Sequence, residues 1–420
     1  MSEVKRTSNI SPKGSTDLVI VGGGMAAERL ICRLDALGYA GTVKLIGEES
    51  QAGYNRVLLP DLLAGRSNWS DMACRSNTGP RGAWYETRLG SPVVDLDLGS
   101  RQVGEANGVA TQWDTLVLAM GSSAAIPSAL RMKSAGIQAL RSLADVKKLE
   151  ASSRQGQTVA VVGGGLLGLE AAHALYLQGY RVVVIHRSTM LMNRQLCKES
   201  AELLHKMLLS QGLEFRLDTE VVSVDATTEH VHSISLSNGS VLAVDRILVA
   251  VGNDPNIALA EQAGLRCCKG ILVDEYLQSS EKGVYAIGEC AEFEGDTHCF
   301  VEPVYAQADA LARQLCGEET TLVLPPASAR LKVAGIELFC AGSTRTNENS
   351  AVNSEQTTSV VRDARAGVYR SLTFDAQRLA GAILLGDTSG SRKIFSALNT
   401  PITSAFEREQ LLFGAVPSHA

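Results

Sequence analysis

Short apolar runs alternate with amphipathic stretches along most of the chain, and one such unit occurs twice. In the first copy, the apolar run 17–21 leads into a glycine-rich turn, and apolar residues then recur every three or four positions up to Leu37. This spacing predicts a buried strand followed by a helix. A second strand is predicted over 42–46, which gives the strand–helix–strand order of a parallel sheet.

The second copy repeats this pattern over 158–185, with a strand, a glycine-rich turn, a helix that ends near Gly179 and another strand. Each copy also has a later apolar strand that stops at a glycine, and these glycines are Gly121 and Gly252. One glycine-rich turn alone is a weak sign of nucleotide binding. Two copies with matching late strands predict two dinucleotide-binding sheets.

The glycines of such a turn have separate tasks. The first permits the tight turn, the second lets backbone N–H groups approach a pyrophosphate, and the third lets the helix pack on the strand. The helix N-terminus offers unpaired N–H groups and a positive dipole end to the phosphates. The positions concerned are Gly22, Gly24 and Ala27 in the first copy, and Gly163, Gly165 and Gly168 in the second. The alternative is that either turn only joins a strand to a helix.

The residues after the second strand of each copy favour different ligands. Glu48 stands where a carboxylate hydrogen-bonds the hydroxyls of a ribose. The corresponding residue of the second copy is His186, followed by Arg187 and, further on, Arg194. The two arginines favour the 2′-phosphate of NADPH, although a neutral histidine beside a solvated arginine also accommodates NADH. The choice between the two donors stays open.

Composition and charge exclude several other functions. The chain has 420 residues, enough for two or three cores, and a net charge of -6 without a basic run, which argues against nucleic acid. No secretory signal and no membrane-spanning apolar stretch is recognised. Nine scattered cysteines have neither disulfide-framework nor metal-ligand spacing, so we expect no metal site. We expect a cytoplasmic protein.

Together with the run 283–291, the two units resemble the FAD-dependent pyridine nucleotide reductases of the glutathione reductase superfamily. The resemblance implies an α/β fold in which the first unit holds FAD and the second, inserted into it, holds NADH or NADPH. It also implies that the strand before Gly288 returns to the FAD sheet and that the following acid meets the ribityl chain. Most members have Asp at that position, whereas this chain has Glu289.

Closer similarity connects the chain to the flavin portion of bacterial NAD(P)H nitrite reductases and to the electron-transfer subunits of assimilatory nitrate reductases. The runs that carry it are 53–59, 186–196 and 287–291, with 331–335, 367–370 and 379–387 in the C-terminal third. The resemblance implies a small C-terminal α/β domain. The expected plan is an FAD-binding domain over 17–130 and 256–322, an NAD(P)-binding domain over 131–255, a C-terminal domain over 325–402, and tails at 1–16 and 403–420.

The same resemblance suggests roles for four further residues. Glu170 is expected to face the nicotinamide, or else to be a first-turn acid favoured by the helix dipole. Arg56 is expected near the FAD phosphate or ring, or else at the surface. Pro303 and Tyr305 are expected beside the isoalloxazine, with a plain core position as the alternative for Tyr305.

Two departures from the relatives define the expected function. The clustered cysteines that hold iron–sulfur and sirohaem groups in nitrite reductases are missing, and residues 49–73 lack the redox-active cysteine of the disulfide reductases. We therefore expect electrons to pass from NAD(P)H through FAD to a separate iron–sulfur protein, such as a nitrate or nitrite reductase. The alternatives are a reductase of a small acceptor, of rubredoxin or of ferredoxin, and a non-enzymatic flavoprotein.

Overall fold

The computed structural model describes residues 17–51, 53–74, 85–151, 156–344 and 356–413. The expected tail 1–16 and the end of the other, 414–420, lie outside these ranges. The chain divides into two compact units. Unit 1 contains the described residues of Met1–Arg56, Trp69–Ser123 and Asp254–Pro325, and unit 2 contains those of Val57–Asn68, Ala124–Asn253 and Pro326–Ala420.

Helices and strands are numbered along the chain. The helices are α1 (Met25–Ala36), α2 (Leu59–Leu63), α3 (Trp69–Met72), α4 (Leu143–Ala151), α5 (Leu166–Leu177), α6 (Lys198–Ser210), α7 (Ala258–Gln262), α8 (Val301–Leu315), α9 (Ser391–Ala397) and α10 (Ala405–Phe413). The strands are β1 (Asp17–Val21), β2 (Thr42–Gly47), β3 (Tyr85–Leu89), β4 (Val93–Asp97), β5 (Gln102–Glu105), β6 (Ala110–Gln112), β7 (Thr115–Leu118), β8 (Ser122–Ala124), β9 (Ile137–Ala139), β10 (Thr158–Val162), β11 (Arg181–His186), β12 (Glu214–Leu217), β13 (Val221–Ala226), β14 (Val231–Leu236), β15 (Val241–Ala243), β16 (Arg246–Val249), β17 (Asn253–Pro255), β18 (Ile271–Leu272), β19 (Val284–Ala286), β20 (Ala291–Phe293), β21 (Asp296–Thr297), β22 (Ser328–Val333), β23 (Ile336–Gly342), β24 (Gln356–Asp363), β25 (Val368–Asp375) and β26 (Arg378–Leu385).

Unit 1 is built on a parallel sheet with the strand order β19-β7-β1-β2-β3. Its central strand β1 is apolar and buried because α1 and α8 pack on one face of the sheet and the antiparallel strands β4–β6 and helix α7 contribute to the core on the other. β19 belongs to this sheet although it follows β7 by more than 160 residues, since its register joins Val284 to Leu116. The late strand therefore returns to the first sheet, as expected.

Unit 2 repeats this arrangement in a parallel sheet with the order β12-β11-β10-β16-β9. The antiparallel strands β13–β15 cover part of it and bury Ile234 against Ile247 of β16. The repeat read from the sequence thus corresponds to two sheets in which β1 and β10, and likewise β7 and β16, occupy equivalent places. This confirms the predicted α/β class with parallel dinucleotide-type sheets.

The C-terminal part of unit 2 is an antiparallel sheet with the order β22-β23-β26-β25-β24. The predicted hairpin is present as β25 and β26, and the predicted helix is α9. Helix α10 lies within the segment expected as a tail. It is part of the domain because Leu411 and Leu412 are buried in the core beside Phe374.

A buried arginine holds the end of α10. Arg370, 3% exposed, donates from Nε to the carbonyl of Leu412 (2.6 Å) and from Nη1 to the Asp387 carboxylate (2.7 Å). Its Nη2 reaches the carbonyl oxygens of Ser389 (3.1 Å) and Leu411 (3.4 Å). The cation thereby satisfies carbonyl groups at a helix C-terminus that have no partner within the helix.

Replacing Arg370 by methionine is expected to destabilise this C-terminal sheet by about 3 kcal/mol, because buried carbonyls and a carboxylate lose their donor. Thermal unfolding followed by circular dichroism should show a lower midpoint, and limited proteolysis should release α10 first. Arg378→Met is the matched control, since the exposed guanidinium of Arg378 donates only to the carbonyl of Asn399 (2.9 Å) among the described residues. Equal midpoints for the two variants would show that Arg370 does not hold α10.

Candidate nucleotide-binding sites

The first glycine of each turn is required by the fold itself. Gly22 has φ +106 and Gly163 has φ +125, values that disfavour any side chain. A Cβ atom would lie 2.3 Å from the carbonyl oxygen of Ala119 at Gly22, and 2.2 Å from that of Ala250 at Gly163. In both copies the turn passes so close to the neighbouring late strand that only glycine fits.

The second glycine of each turn is not required by the fold, because a side chain would fit at either position. Gly24 and Gly165 have φ values of -82 and -85, which any residue adopts, and a Cβ atom at either would meet nothing within 4 Å. They are the N-caps of α1 and α5, and neither helix start has a side-chain cap. Each helix therefore presents uncapped N–H groups across open space, which suits a pyrophosphate.

The two turns differ at the third position. A Cβ atom at Gly168 would lie 2.0 Å from the carbonyl oxygen of Gly163, so α5 packs on its turn only through glycine. Ala27 takes this place in the first copy and is fully buried. The late glycines, Gly121 (φ +63) and Gly252 (φ +133), also face open space. The residues expected to cradle two dinucleotides are thus brought together in two equivalent sets.

Two of the residues expected around FAD lie in one loop of unit 1. Glu48 is exposed directly after β2, at the carboxyl end of the sheet. Arg56 forms an ion pair with Glu49, and its guanidinium carbon lies 5.0 Å from the centre of the Tyr54 ring. Tyr54 also donates to Glu49 (2.6 Å), so Arg56 is held in place by a carboxylate and an aromatic face.

A second group of these residues surrounds the turn after β19. Gly288 has φ +80, and its N–H donates to Oε1 of the fully buried Gln307 (2.6 Å). The Nε2 atom of Gln307 has no partner among the residues that the structure describes. Glu289 accepts a hydrogen bond from the hydroxyl of Ser122, which follows Gly121. The carboxylate of Glu289 and the side-chain amide of Gln307 therefore both lie at the turn after β19.

Helix α8 carries the other two residues expected near the flavin. Pro303 is buried in the first turn of α8, where a proline removes no helical hydrogen bond. Tyr305 is half-buried, with the Arg29 guanidinium carbon 5.2 Å from its ring centre. Arg29 is itself fixed by two hydrogen bonds of 2.7 Å to Asp309, so Tyr305 packs against an ordered cation.

The second site places a neutral histidine where a carboxylate often stands. Nδ1 of His186, at the end of β11, accepts the N–H of Gly164 (3.2 Å), and burial lowers the pKa of the imidazole. The proton of the neutral ring is then on Nε2, a buried atom, and the backbone of Met190 and the side chain of Asn193 lie next to the ring. Arg187 and Arg194 are exposed. This end of the sheet carries a neutral histidine and two arginines, and no carboxylate at the ribose position.

Glu170 lies in the first two turns of α5 and is 4% exposed. Its Oε1 accepts the backbone N–H of Lys332 on β22 (2.9 Å). Burial raises the pKa of this carboxyl to about 7, although the N–H and the ammonium of Lys332 both favour the charged form. Glu170 is thus a titratable group close to neutrality beside the second cradle.

This shift predicts a pH-dependent stability. The pKa of Glu170 rises from 4.5 when unfolded to about 7 when folded, so the folded state binds the proton more tightly. The contribution of Glu170 to the free energy of unfolding is fully present below pH 4.5, and up to about 3 kcal/mol of it is lost as the pH rises through about 7. The Glu170→Gln variant should lack this component of the pH dependence. Thermal unfolding across this range should show it, with the exposed Glu150→Gln as control; parallel curves for wild type and Glu170→Gln would contradict the assignment.

None of the nine cysteines, all of which lie in the described ranges, forms a disulfide. Burial raises the pKa of Cys290 to about 11 and that of Cys74 to about 11, so both are neutral at pH 7. Within the same ranges, no cluster of three His, Cys, Asp or Glu residues is arranged to hold a metal ion, and no helix has the length and apolar character of a membrane span.

Two uncapped helix starts, each behind a glycine turn at the end of a parallel strand, are the arrangement of a protein that binds two dinucleotides. Residues 16–313 match the family described as pyridine nucleotide-disulphide oxidoreductase, and residues 327–402 match the rubredoxin NAD+ reductase C-terminal domain. The chain belongs to the pyridine nucleotide-disulphide oxidoreductase family. This confirms the predicted class, an FAD-dependent NAD(P)H oxidoreductase, and its two cofactors.

Curated relatives carry names connected with nitrogen and with rubredoxin. The chain is 35% identical over 405 residues to the assimilatory nitrate reductase electron transfer subunit of Bacillus subtilis (94% of this chain, 51% of the relative). It is 33% identical to nitrite reductase [NAD(P)H] of the same species (92% and 47%) and 30% identical to rubredoxin-NAD(+) reductase of Pseudomonas putida (74% and 82%). The chain therefore spans about half the length of the first two relatives.

Solved structures share the fold at low sequence identity. A chain of the covalent putidaredoxin reductase–putidaredoxin complex superposes with a TM-score of 0.84 at 20% identity, covering 96% of this chain and 97% of that one. NADH:rubredoxin oxidoreductase from Clostridium acetobutylicum superposes with a TM-score of 0.74 at 22% identity, covering 94% and 100%. These matches show that the chain shares the fold of these reductases.

Three residues of these sites were not singled out from the sequence as site residues. Ser122 binds Glu289 across 167 positions of the chain, Gln307 binds Gly288, and Lys332 binds Glu170 across 162 positions. Ser122 directly follows Gly121, a local signal that was available. Nothing in the spacing of Lys332 connects it to α5, because that contact depends on where β22 lies after folding.

Proposed function

We propose that the protein takes electrons from NAD(P)H onto bound FAD and delivers them to a separate iron–sulfur protein, with an assimilatory nitrate or nitrite reductase as the partner. The observation that carries the proposal is the pair of open glycine cradles, combined with the lack of a redox-active cysteine in residues 49–73. Two nucleotides are accommodated, and no thiol is positioned to accept electrons in the usual place. The acceptor must therefore come from outside these sites.

FAD belongs in unit 1 under this proposal. The turn at Gly22–Gly24 and the start of α1 would bind its pyrophosphate, and Glu48 would accept hydrogen bonds from its ribose. Glu289 and the Gln307 amide lie at the end of β19, where the ribityl chain is expected. FAD supplies the hydride-accepting and electron-releasing chemistry, while the protein binds and orients it.

The nicotinamide nucleotide belongs at the second cradle. Gly163–Gly168 and the start of α5 would bind its pyrophosphate, with Glu170 toward the nicotinamide end. His186 would lie beside the adenosine ribose without a repelling charge, and Arg187 and Arg194 would meet a 2′-phosphate. Because a carboxylate that would repel this phosphate is missing from the ribose position, NADPH is the preferred donor in this proposal, with NADH also accepted.

The relatives support the choice of partner. The names of the two Bacillus subtilis relatives refer to nitrate and nitrite reductases, and one of them is an electron transfer subunit. The C-terminal match to rubredoxin NAD+ reductase favours rubredoxin as the second candidate acceptor. A cytoplasmic location is part of the same proposal, since none of the nine cysteines forms a disulfide.

Anaerobic mixing of the purified, FAD-loaded protein with NADPH and, separately, with NADH tests the first step. Loss of flavin absorbance near about 450 nm, a general property of flavin reduction, is the expected result. If neither donor reduces the flavin, the electron-transfer proposal fails at its first step.

A second experiment tests the acceptor. The turnover rate is measured after adding, in turn, a nitrate reductase catalytic subunit, a nitrite reductase haem protein, rubredoxin and a quinone. Acceleration by a reductase subunit supports the proposed partner, and acceleration by rubredoxin or quinone alone favours the alternatives.

A further inference from the structure

One residue of the C-terminal sheet connects three segments of unit 2. Lys332 lies on β22, an edge strand that pairs only with β23 among the described strands, and it is one of the residues whose N–H points to the open edge. That N–H donates to Glu170 of α5 (2.9 Å), and its carbonyl accepts from Arg66 (3.3 Å). All the backbone polar groups of this residue are thus used outside its own sheet.

The side chain of Lys332 makes a third connection. Its ammonium donates to the carbonyl of Val57 (3.0 Å) and lies 3.6 Å from the carboxylate of Asp61 on α2. Asp61 also binds Arg66 (2.8 Å). Two carboxylates and two cations therefore meet where α2, α5 and β22 come together, and Lys332 is the member bound to both carboxylates, through its N–H and its ammonium.

Glu170 needs this support because it is buried. A carboxylate 4% exposed on the first turns of a helix is stable in its charged form only if donors and cations compensate for lost water. The described charged groups that act on it from neighbouring elements are Lys332 of β22, Asp61 of α2 and Arg66 after α2. Only the N–H of Lys332 is hydrogen-bonded to its carboxylate in the described part of the chain.

We propose that Lys332 is a positioning residue for the nicotinamide nucleotide, through which the C-terminal sheet holds the Glu170 carboxylate in one orientation and in its charged form. This inference rests on the proposed function, in which the second cradle takes NAD(P)H. It assigns a task to the C-terminal sheet, namely completing the nucleotide site of α5. Lys332 acts through Glu170 and need not touch the nucleotide.

The pH dependence distinguishes positioning from mere structural support. The pKa of Glu170, raised to about 7 by burial, is held down by the N–H and the ammonium of Lys332 and by Arg66, and is pushed up by Asp61. Removing the ammonium takes away one of the charges that lower it. The inflection in nucleotide affinity should then move to higher pH, whereas loss of folding stability alone would leave its position unchanged.

The test uses three variants of the full-length FAD-loaded protein. Lys332→Met removes the ammonium and keeps the N–H, Lys332→Pro removes both, and Lys332→Arg restores a cation. Proline is tolerated on an edge strand where the lost N–H served no strand pairing. Lys393→Met, at an exposed lysine of α9, is the matched control. Dissociation constants for NAD+ and NADP+ are measured by calorimetry from about pH 6 to about pH 9, together with flavin reduction by NADH and NADPH.

We expect Lys332→Met to move the inflection upward, Lys332→Arg to restore it, and Lys332→Pro to weaken nucleotide binding by about tenfold or more at pH 8, as loss of a charge-assisted hydrogen bond predicts. Wild-type profiles in Lys332→Met and Lys332→Pro, with only a lower unfolding temperature, would overturn the inference. If the wild-type protein neither binds these nucleotides nor is reduced by them, the proposed function has failed instead. Photochemical reduction of the flavin verifies that each variant retains a competent cofactor.

Discussion

The Gly165→Val variant should retain FAD and lose reduction of its flavin by NADPH and NADH by on the order of 100-fold, equivalent to losing one or two charge-assisted hydrogen bonds. The reason is the open space in front of this residue. A Cβ atom there meets no protein atom within 4 Å, and φ is -85, so valine neither strains nor disrupts unit 2. The added methyl groups occupy the approach of a pyrophosphate to the start of α5.

Stopped-flow absorbance under anaerobic conditions measures the effect, and the ratio of FAD to protein serves as the control. Gly165→Ala should lie between the wild type and the valine variant, because one methyl group blocks less of the approach. Loss of FAD in Gly165→Val would mean that the two cradles are assigned the wrong way round. Unchanged reduction would mean that no nucleotide approaches this turn.

The Gly24→Val variant is expected to fold and to be purified largely without FAD, with an affinity for added FAD lowered by on the order of 100-fold for the same reason. Its backbone is also ordinary, with φ -82, and a Cβ atom would meet nothing within 4 Å. Gly22→Val is the contrasting variant. There the Cβ atom would lie 2.3 Å from the carbonyl oxygen of Ala119, so that variant should not fold.

Flavin absorbance per protein and fluorescence titration of the apoprotein with FAD measure the loss. Circular dichroism should give Gly24→Val the same unfolding temperature as wild-type apoprotein, and calorimetry should show that NADP+ still binds the second cradle. A stoichiometric, tightly bound FAD in Gly24→Val would exclude this turn as the FAD pyrophosphate site. An apoprotein that melts well below the wild type would show that Gly24 serves the fold after all.

Much of this architecture was predictable because it is locally encoded. A buried parallel strand is a continuous apolar run, and the helix that follows has apolar residues every three or four positions. The two copies at 17–46 and 158–185 can therefore be recognised from the sequence alone. The glycines can be recognised in the same way, since a tight turn and a close approach both exclude side chains. The hairpin of β25 and β26 follows from two alternating runs around a short turn.

Helix α10 could not be predicted from the local sequence pattern. It is nine residues long, and what holds it is Arg370, more than 30 positions earlier, together with the burial of Leu411 and Leu412 in a core completed by β25. A helix this short is not stable by its own hydrogen bonds. Its segment therefore looks like a tail until the sheet on which it packs is present.

The nucleotide cradles, the fold class and the two-sheet repeat were contained in the order of residues, because each rests on turns, periodicities and glycines that act within about 30 positions. The hydrogen-bond partners of the acidic residues could not be predicted from the order of residues. Glu170 meets Lys332, and Glu289 meets Ser122, across more than 160 positions in each case. Which donor reaches a buried carboxylate depends on how distant strands come together, and so the charge and orientation of Glu170 were decided only when β22 was placed beside α5.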